Sequence, residues 1–374
     1  MISANILVTG AAGYIGGSIV ADFLAGILPS LEKDNIIAAV RSEEQAAALS
    51  DSNVNVIRLD LSNGEAVSKT IADQNIAIVI HTASSLKPEL ALNLINGLSK
   101  QRKDTSRQTY FIHVSMHILP DSIAYTNETS AMSAFMPRTG WPEGKLRGAS
   151  TEVFTTEKQL ADSYPVRKTD VAVIEQAQSQ GVISFIVIPC LTHGKGTGSW
   201  NKLSVNIPIV IKASIERKEV RRFADNIKVS YVHISDLTAL YGRIVEKILR
   251  GEEPPNGLEG YYFSAVYQIS SHDFADHLAA ALYARGLVLS SRPEVWPSAE
   301  AAAKAFGVPA KFVEYLWNSG NEAPSTSINS EIGWKPKWDK EKFFRNIDDE
   351  IDAVLELRSA KSSLIDSLFA AAKE

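Results

Sequence analysis

The sequence has 374 residues, of which 45% are hydrophobic and 22% charged, with a formal net charge of −5. At roughly 150 residues per domain, this length predicts about two and a half domains, and the apolar content excludes a largely disordered chain. The acidic balance, without a cluster of basic residues, argues against nucleic acid or an anionic membrane surface as a partner.

The cysteine and histidine content indicates the redox state of the compartment and whether a metal site is expected. A single cysteine, Cys190, excludes an intramolecular disulfide and fits a reducing compartment. The sequence has no zinc-like grouping of its seven histidines, so no metal is expected. It also has no apolar run of the roughly 18 residues needed to span a membrane and no recognisable secretory signal. We therefore expect a cytoplasmic protein without membrane contact.

The first half alternates short apolar runs with helical patterns. The predicted strands are Ile6–Val8, Ile36–Val40, Val54–Leu59, Ile76–His81, Tyr110–Val114 and Ile183–Ile188. The predicted helices between them include Tyr14–Ala25, Glu43–Leu49, Ala66–Gln74 and Leu90–Lys100. This alternation indicates parallel strands joined by crossover helices, and strands apolar on both faces fit a sheet covered on both sides. The predicted fold is α/β, a Rossmann-type doubly wound parallel sheet.

Changes of composition predict the domain organisation. The dinucleotide-binding domain is expected over 1–190 and 226–250, with a lid-like insertion at 118–163 that is too long for a plain connection. A smaller C-terminal substrate lobe is expected over 191–225 and 251–338. Residues 339–374 are expected to form a helical segment, because Leu364, Ile365, Leu368 and Phe369 share one helical face.

A glycine-rich turn follows the first strand and opens the first helix. Gly10 permits the tight turn, Gly13 lets the backbone approach a pyrophosphate, and Gly16 lets helix and strand pack closely. The N-terminus of the helix would then hold the pyrophosphate. The predicted contacts of this turn are Gly10, Ala12, Gly13, Tyr14, Ile15 and Gly16.

The ends of the next strands predict the rest of the dinucleotide groove. The second strand ends at Arg41, where a carboxylate would favour NAD and an arginine can pair with the 2′-phosphate of NADP. NADP (NADPH) is therefore the preferred cofactor, with NAD as the alternative. The remaining predicted contacts are Asp60 and Leu61 after the third strand, and Thr82, Ala83 and Ser84 after the fourth.

Five motifs resemble the extended short-chain dehydrogenase/reductase superfamily, which contains nucleotide-sugar epimerases and dihydroflavonol reductases. They are TGAAGYIGG at 9–17, VIHTAS at 79–84, the Ile-Pro…Gly-Lys-Gly segment at 188–196, VHISDL at 232–237 and IGWKP at 332–336. The sequence looks most similar to fungal epimerase-like or NmrA-like proteins. The resemblance implies a nicotinamide cofactor. It also implies a catalytic Ser/Thr, a Tyr acting as general acid/base, and a Lys that lowers the pKa of the Tyr.

The catalytic Tyr and Lys that the resemblance implies can be aligned with this sequence in two registers. Tyr164 and Lys168 supply Tyr-x-x-x-Lys at the start of a helix predicted to run from Pro165 to about residue 179, where positions four apart share a face. We prefer this pair, and Lys168 would also contact the cofactor.

The alternative register is set by Glu175, because the family often has Glu four residues after the Lys. It would place Arg167 at the Tyr position and Val171 at the Lys position. That register leaves no Tyr/Lys proton relay, although Arg167 and Asp170 could form a polar pair.

The expected catalytic hydroxyl is displaced. The family pattern would place it at Met116 or His117, whereas Ser115 is one residue early and would face the other way along the strand. Either a bulge shifts Ser115, or His117 replaces the hydroxyl as a donor that can also titrate near neutral pH. Both residues are therefore catalytic candidates, and Met116 is a candidate substrate contact.

The segment after the sixth strand predicts the contacts of the nicotinamide and the substrate. By resemblance, Pro189, Leu191 and His193 lie near the nicotinamide, whereas Cys190 is expected to be a small buried side chain. Trp141 and Trp200 are candidate substrate contacts. An apolar or aromatic substrate is indicated by the aromatic residues of the lid and lobe, which are Trp141, Trp200, Phe223, Tyr262 and Trp296.

The functional prediction is an NADP-dependent oxidoreductase of the carbonyl reductase or alcohol dehydrogenase type. It would act on a small molecule as a monomer or homodimer. The displaced hydroxyl leaves two alternatives open. One is a redox-neutral isomerase, lyase or cyclase on the same fold, and the other is a non-catalytic, NmrA-like dinucleotide sensor.

Overall fold

The computed structural model describes residues 4–115, 151–163, 165–313, 317 and 330–358. The strands within these ranges are β1 (Asn5–Thr9), β2 (Ile36–Val40), β3 (Asn55–Arg58), β4 (Ile76–His81), β5 (Tyr110–Val114), β6 (Ile183–Ile188), β7 (Leu191–His193), β8 (Arg221–Arg222), β9 (Lys228–His233), β10 (Tyr261–Phe263), β11 (Tyr267–Ser270) and β12 (Glu294–Val295).

The α-helices within the same ranges are α1 (Tyr14–Leu24), α2 (Glu43–Leu49), α3 (Gly64–Asp73), α4 (Pro88–Thr105), α5 (Thr151–Gln159), α6 (Pro165–Gln180), α7 (Asn206–Arg217), α8 (Ile234–Leu249), α9 (Ser271–Ala284), α10 (Ala299–Phe306), α11 (Ala310–Val313), α12 (Lys340–Arg345) and α13 (Ile347–Leu357).

Seven strands form one parallel sheet in the order β10-β6-β5-β4-β1-β2-β3. The strand order reverses between β1 and β4, so the connections leave these two strands in opposite directions. In doubly wound sheets the crevice outside the carboxyl ends of such strands is where ligands bind. The predicted fold class is confirmed, and four of the six predicted strands have the predicted bounds.

Two layers of apolar side chains cover the sheet. On one face, α1 and α8 pack through residues such as Phe23, Leu240 and Tyr241. On the other face, α3, α4 and α6 pack through residues such as Ile71, Leu94, Val173 and Ile174. Strands that are buried on both faces explain the continuous apolar runs in the sequence.

A smaller lobe is built on a three-stranded sheet in the order β11-β9-β7. Helices α7, α9, α12 and α13 cover it, and Phe343, Ile347 and Ile351 are buried in its core. The first part of the predicted C-terminal helical segment therefore packs on this lobe. Leu364, Ile365, Leu368 and Phe369 lie outside the described residues.

Part of the region assigned to the lobe by sequence belongs to the main sheet. β10 pairs with β6 as an edge strand, and Tyr262 within it is buried. Trp334 is buried in the α1–α8 layer, and its Nε1 donates to the carbonyl oxygen of Asp236, 2.8 Å away. Most of the lid-like insertion lies outside the described residues. Its last part forms α5, where Val153 and Glu157 are buried.

Candidate functional site

The glycine turn lies at the point where the strand order reverses. Gly10 follows β1 with φ +71°, and a Cβ there would lie 2.8 Å from the carbonyl carbon of Thr82, just after β4. A Cβ on Gly16 would lie 2.4 Å from the carbonyl oxygen of Gly10 and 2.4 Å from Oγ1 of Thr82. Only glycine fits these two positions without movement of the backbone, so the turn and α1 pack closely against the end of β4.

The N-terminus of α1 has the properties of an anion-binding site. Gly13 is the N-cap, no side chain caps the helix, and its first turn contains no acidic residue. The first N–H groups of a helix lack partners within it, and its dipole favours negative charge there. Ala12 is buried beside this turn and Ile15 is partly buried. These residues can hold the pyrophosphate of a dinucleotide.

Tyr14, the first residue of α1, forms a hydrogen bond with a residue outside the predicted dinucleotide-binding domain. Its hydroxyl donates to the carbonyl oxygen of Gly194, 2.7 Å away. Burial, with the nearby carboxyl of Glu350 as a second cause, raises the pKa of Tyr14 well above its usual range. Tyr14 is therefore a neutral hydrogen-bond donor that fixes the start of the helix.

Exposed polar residues follow β2 and β3. Arg41 is exposed at the end of β2, and Ser42 caps α2 by accepting from the backbone N–H of Gln45, 3.2 Å away. Asp60 is exposed after β3, and hydrogen bonds from Ser62 lower its pKa. Because β2 and β3 run parallel to β1, these side chains lie at the same edge of the sheet as the glycine turn.

The segment after β4 is fixed mainly by local hydrogen bonds. Oγ1 of Thr82 donates to the carbonyl oxygen of Thr9, 2.7 Å away, and Oγ of Ser84 accepts from the N–H of Leu86 at 3.2 Å. His81 lies behind them, with Nδ1 2.7 Å from Oγ1 of Thr9. Burial lowers the pKa of His81 to about 4, so its ring is neutral and serves the packing of the strands.

A buried polar cluster lies at the carboxyl end of β5. Ser115 donates its hydroxyl to Oδ2 of Asp170 on α6. Nε2 of His113 lies 3.4 Å from Oδ1 of the same carboxylate, and all three side chains are buried. Ser115 therefore points toward α6. Met116 and His117, the other candidates at this strand end, lie outside the described residues, as does Trp141.

Helix α6 presents one face to the interior. Arg167, Asp170 and Val171 are buried, whereas Lys168 is exposed. Arg167 and Val171, the residues of the alternative register, therefore lie with Asp170 on the face of α6 that packs inward. Lys168 lies outside that face. Tyr164 lies outside the described residues.

The residues expected near the nicotinamide lie deeper than the sequence suggests. Leu191 and His193 are both buried in β7. Nε2 of His193 lies 2.5 Å from the hydroxyl of Tyr267, and its ring packs edge-on against Phe343. Burial, with His233 nearby, lowers the pKa of His193 to about 3. His193 is therefore neutral and part of the core of the lobe.

The remaining predicted positions differ in their exposure. Pro189 and Cys190 are buried, and burial raises the pKa of the Cys190 thiol to about 12, as expected for a packing residue. Trp200 is partly buried against the α1–α8 layer, and the N–H of Asn201 lies 3.3 Å from the carbonyl oxygen of Ala12.

Two of the aromatic residues taken to indicate an apolar substrate have structural roles. The hydroxyl of Tyr262, in strand β10, donates to the carbonyl oxygen of Pro255 in the preceding loop at 2.7 Å. Trp296 packs against Phe306 and beneath the guanidinium groups of Arg217 and Arg221.

Sequence reasoning missed two buried carboxyl groups. Oε2 of Glu157 accepts from the hydroxyl of Tyr261, 2.6 Å away. Oε1 of Glu350 accepts from the N–H of Gly194, 2.5 Å away. Both partners are more than 100 residues away in the chain, so no local pattern indicates them. Within the described ranges, no group of three His, Cys, Asp or Glu side chains could hold a metal ion, and no helix is long and apolar enough to cross a membrane.

Comparisons with known proteins fit this geometry. Residues 6–95, from β1 into α4, match the model of the NAD dependent epimerase/dehydratase family. No curated protein matches the sequence. Similar solved structures include the dTDP-glucose 4,6-dehydratase of Streptomyces venezuelae with NAD and TYD bound. It is 14% identical, with a TM-score of 0.61 over 95% of this chain and 98% of that chain.

Two further structures share the fold. The UDP-glucuronic acid 4-epimerase of Bacillus cereus, in complex with a UDP-sugar and NAD, is 16% identical, with a TM-score of 0.58 over 94% of this chain and 99% of that chain. Vestitone reductase from alfalfa is 16% identical, with a TM-score of 0.55 over 95% and 99%. The family match and the shared architecture support the resemblance found in the motifs: the chain has the fold of the extended short-chain dehydrogenases/reductases.

Proposed function

We propose that the protein is an NAD(P)-dependent enzyme of the extended short-chain dehydrogenase/reductase type. The observation that carries the proposal is the glycine turn. Gly10 and Gly16 allow β1, α1 and the end of β4 to approach too closely for any side chain, and the N-terminus of α1 is left without a side-chain cap. This arrangement suits the pyrophosphate of a dinucleotide. Five similar structures were solved with NAD bound.

NADP is the proposed cofactor. Arg41 stands at the end of β2, where the adenine ribose of a dinucleotide reaches the sheet, and its side chain is exposed. A guanidinium pairs well with the 2′-phosphate of NADP. Asp60 and Leu61 after β3, and Ala83 and Ser84 after β4, are the proposed contacts of the adenine and the inner part of the groove.

The proposed reaction transfers a hydride between the cofactor and a carbonyl carbon. A bound nicotinamide supplies or accepts the hydride. Tyr164 gives the proton to the carbonyl oxygen, or takes it from the alcohol in the reverse direction. A phenol needs a nearby cation to do this at neutral pH, and the proposed cation is Lys168, whose side chain is exposed at the start of α6.

An enzyme whose net reaction is redox-neutral is the second candidate. It is favoured by the buried cluster at the end of β5, where the hydroxyl of Ser115 is engaged by Asp170. The inward face of α6 carries Arg167 and Asp170 in place of a Tyr/Lys pair. In this alternative, proton transfer would depend on His117 and not on a phenol.

One assay separates the two candidates. The protein is incubated with stoichiometric NADPH and a panel of aromatic and aliphatic aldehydes and ketones, and both NADPH and product are followed. The oxidoreductase proposal expects one NADPH consumed per product. It also expects Tyr164→Phe to lower kcat by at least about 100-fold, as for loss of a general acid, with unchanged affinity for NADPH.

The matched control is Tyr283→Phe, because Tyr283 is exposed on α9 and far along the chain from the proposed site. It is expected to keep the wild-type rate. Product formed without loss of NADPH would favour the redox-neutral candidate. Full activity of Tyr164→Phe would overturn the assignment of Tyr164 and favour the alternative register.

A further inference from the structure

A chain of two hydrogen bonds joins the C-terminal helix α13 to the first residue of α1. Glu350 on α13 accepts from the N–H of Gly194, with Oε1 2.5 Å from the nitrogen. The carbonyl oxygen of the same glycine accepts from the hydroxyl of Tyr14 at 2.7 Å. A single residue therefore links a buried carboxyl of the smaller lobe to the start of the helix that faces the proposed pyrophosphate.

Gly194 packs closely against the ring of His233. Its φ is +94°, and a Cβ there would lie 2.2 Å from Nε2 of His233. The His233 ring is itself fixed, because it stacks on Trp338 with centroids 3.5 Å apart and its Nδ1 lies 2.8 Å from the hydroxyl of Ser235. The peptide of Gly194 is thus held between the ring of His233 and the carboxyl of Glu350.

Residues 196–198 continue this contact along α1. The N–H of Thr197 donates to Oγ of Ser18 at 3.2 Å. A Cβ on Gly196 would meet the ring of Tyr14 at 3.0 Å, and one on Gly198 would meet the backbone of Gly17 at 2.8 Å. A shift of Gly194 would therefore act directly on the first two turns of α1.

The carboxyl of Glu350 is buried. At such a depth an ionisable group costs free energy unless it is hydrogen-bonded. Nδ1 of His193 lies 3.9 Å from Oε1, beyond hydrogen-bonding distance. Among the described residues, the N–H of Gly194 is the donor within hydrogen-bonding distance of this carboxyl, so the carboxyl holds that peptide in place.

We propose that Glu350 is a positioning residue for the dinucleotide, which acts through the backbone of Gly194 on Tyr14 and the N-terminal turn of α1. The inference rests on the proposed function, since it requires that this turn binds a dinucleotide. In this arrangement the affinity for cofactor depends on a helix that does not touch the cofactor groove.

The test measures the dissociation constant for NADPH by calorimetry in wild type, Glu350→Met, Glu350→Gln, Tyr14→Phe and the Glu350→Met/Tyr14→Phe double variant. Methionine fills a similar volume without an acceptor, so affinity is expected to fall about tenfold, on the scale of one lost buried hydrogen bond. Glutamine keeps an acceptor for the Gly194 N–H and is expected to restore the wild-type affinity. Because the two residues act through one peptide, the double variant should lose less affinity than the two single losses combined.

Glu356→Gln is the matched control. Glu356 lies on the same helix and pairs with Lys195, next to Gly194, but the pair is exposed. Exposed ion pairs contribute little, so this variant should keep the wild-type affinity. The far-ultraviolet circular dichroism and Tm of each variant report separately on folding.

The outcomes separate the inference from the proposed function. If wild type binds neither NADPH nor NADH, both the proposed function and this inference are overturned. If wild type binds NADPH and Glu350→Met binds equally well, or if the effects of Glu350→Met and Tyr14→Phe simply add, the inference alone is overturned. Should Glu350→Met not fold, Glu350→Asp replaces it, since the shorter carboxylate withdraws from Gly194; unchanged affinity of that variant would also overturn the inference.

Discussion

Ser115 donates its hydroxyl to the carboxylate of Asp170, so a buried side-chain hydrogen bond ties the carboxyl end of β5 to α6. His113, two residues earlier on the same strand, faces the other oxygen of that carboxylate at 3.4 Å. Residues two apart on a strand share a face, and here both point toward α6. The sheet position from which catalytic side chains are expected is therefore occupied by a buried polar cluster.

This relationship predicts the effect of Ser115→Ala on stability. Without the hydroxyl, Asp170 loses a hydrogen bond in a site closed to water, so the free energy of unfolding should fall by about 1–3 kcal/mol. Urea unfolding measures the change. The control is Ser214→Ala, because Ser214 is also buried but donates only to the carbonyl oxygen of Val210 within its own helix. Equal losses in the two variants would show that the Ser115–Asp170 hydrogen bond contributes no more to the free energy of unfolding than a hydrogen bond within one helix.

The packing of the glycine turn predicts a second effect. In Gly16→Ala the new Cβ would overlap the carbonyl oxygen of Gly10, so α1 must shift. We expect a loss of about 1–3 kcal/mol of stability from overpacking and loss of detectable NADPH binding. Gly26→Ala is the control, because Gly26 has φ +85° but open space around it. It should cost about 1 kcal/mol from backbone strain and leave binding intact. Normal NADPH affinity in Gly16→Ala would contradict the proposed binding site.

Glu350 predicts a dependence of stability on pH. Burial raises its pKa from 4.5 to about 7, with Asp349 adding to the rise. The titratable groups around it are His193, Tyr14 and Tyr231. A raised pKa means that the folded state holds the proton more tightly. The contribution of Glu350 is thus complete below about pH 4.5 and is lost as the pH rises through about 7.

The variant Glu350→Gln removes this titration. Relative to wild type, it should gain up to about 3 kcal/mol of stability between about pH 5 and about pH 8. Denaturant unfolding at the two pH values measures the difference. A constant offset between the two proteins across this range would show that Glu350 titrates normally in the folded state.

Buried histidines predict sensitivity to acid. Burial lowers the pKa of His81 to about 4 and that of His193 and His233 to about 3. For these groups the unfolded state binds protons more readily, so stability is complete above about pH 6.5 and falls as the pH drops toward the folded values. In His81→Gln the slope of stability against pH should decrease by about 1.4 kcal/mol per pH unit in this window.

Much of the fold could be predicted because the relevant signals are local. The turn from β1 to α1 carries its own glycines, and the buried strands β2, β4, β5 and β6 are mainly apolar runs with the predicted bounds. β10 could not be recognised in the same way. It is a three-residue strand whose partners in β6 lie 75 residues earlier in the chain, and its aromatic residues also fit a lobe.

The site was less predictable for a related reason. Strand alternation correctly indicates that Ser115 shares a face with His113, but it does not show that α6 places Asp170 opposite them. The role of Glu350 depends on a backbone contact with Gly194, and such contacts leave no pattern in either sequence segment. Periodicity identifies which side of an element is buried; it does not identify which distant polar group meets it.

Binding of the cofactor is the central claim, and calorimetric titration of NADPH and NADH into wild type and Arg41→Ala tests it most directly. We expect wild type to bind NADPH more tightly than NADH. Arg41→Ala should weaken NADPH binding by about tenfold or more, as for loss of a charge-assisted contact, and leave NADH binding unchanged. Binding of NADH alone would contradict the assignment of Arg41 and of NADP. Binding of neither nucleotide would contradict the proposed function itself.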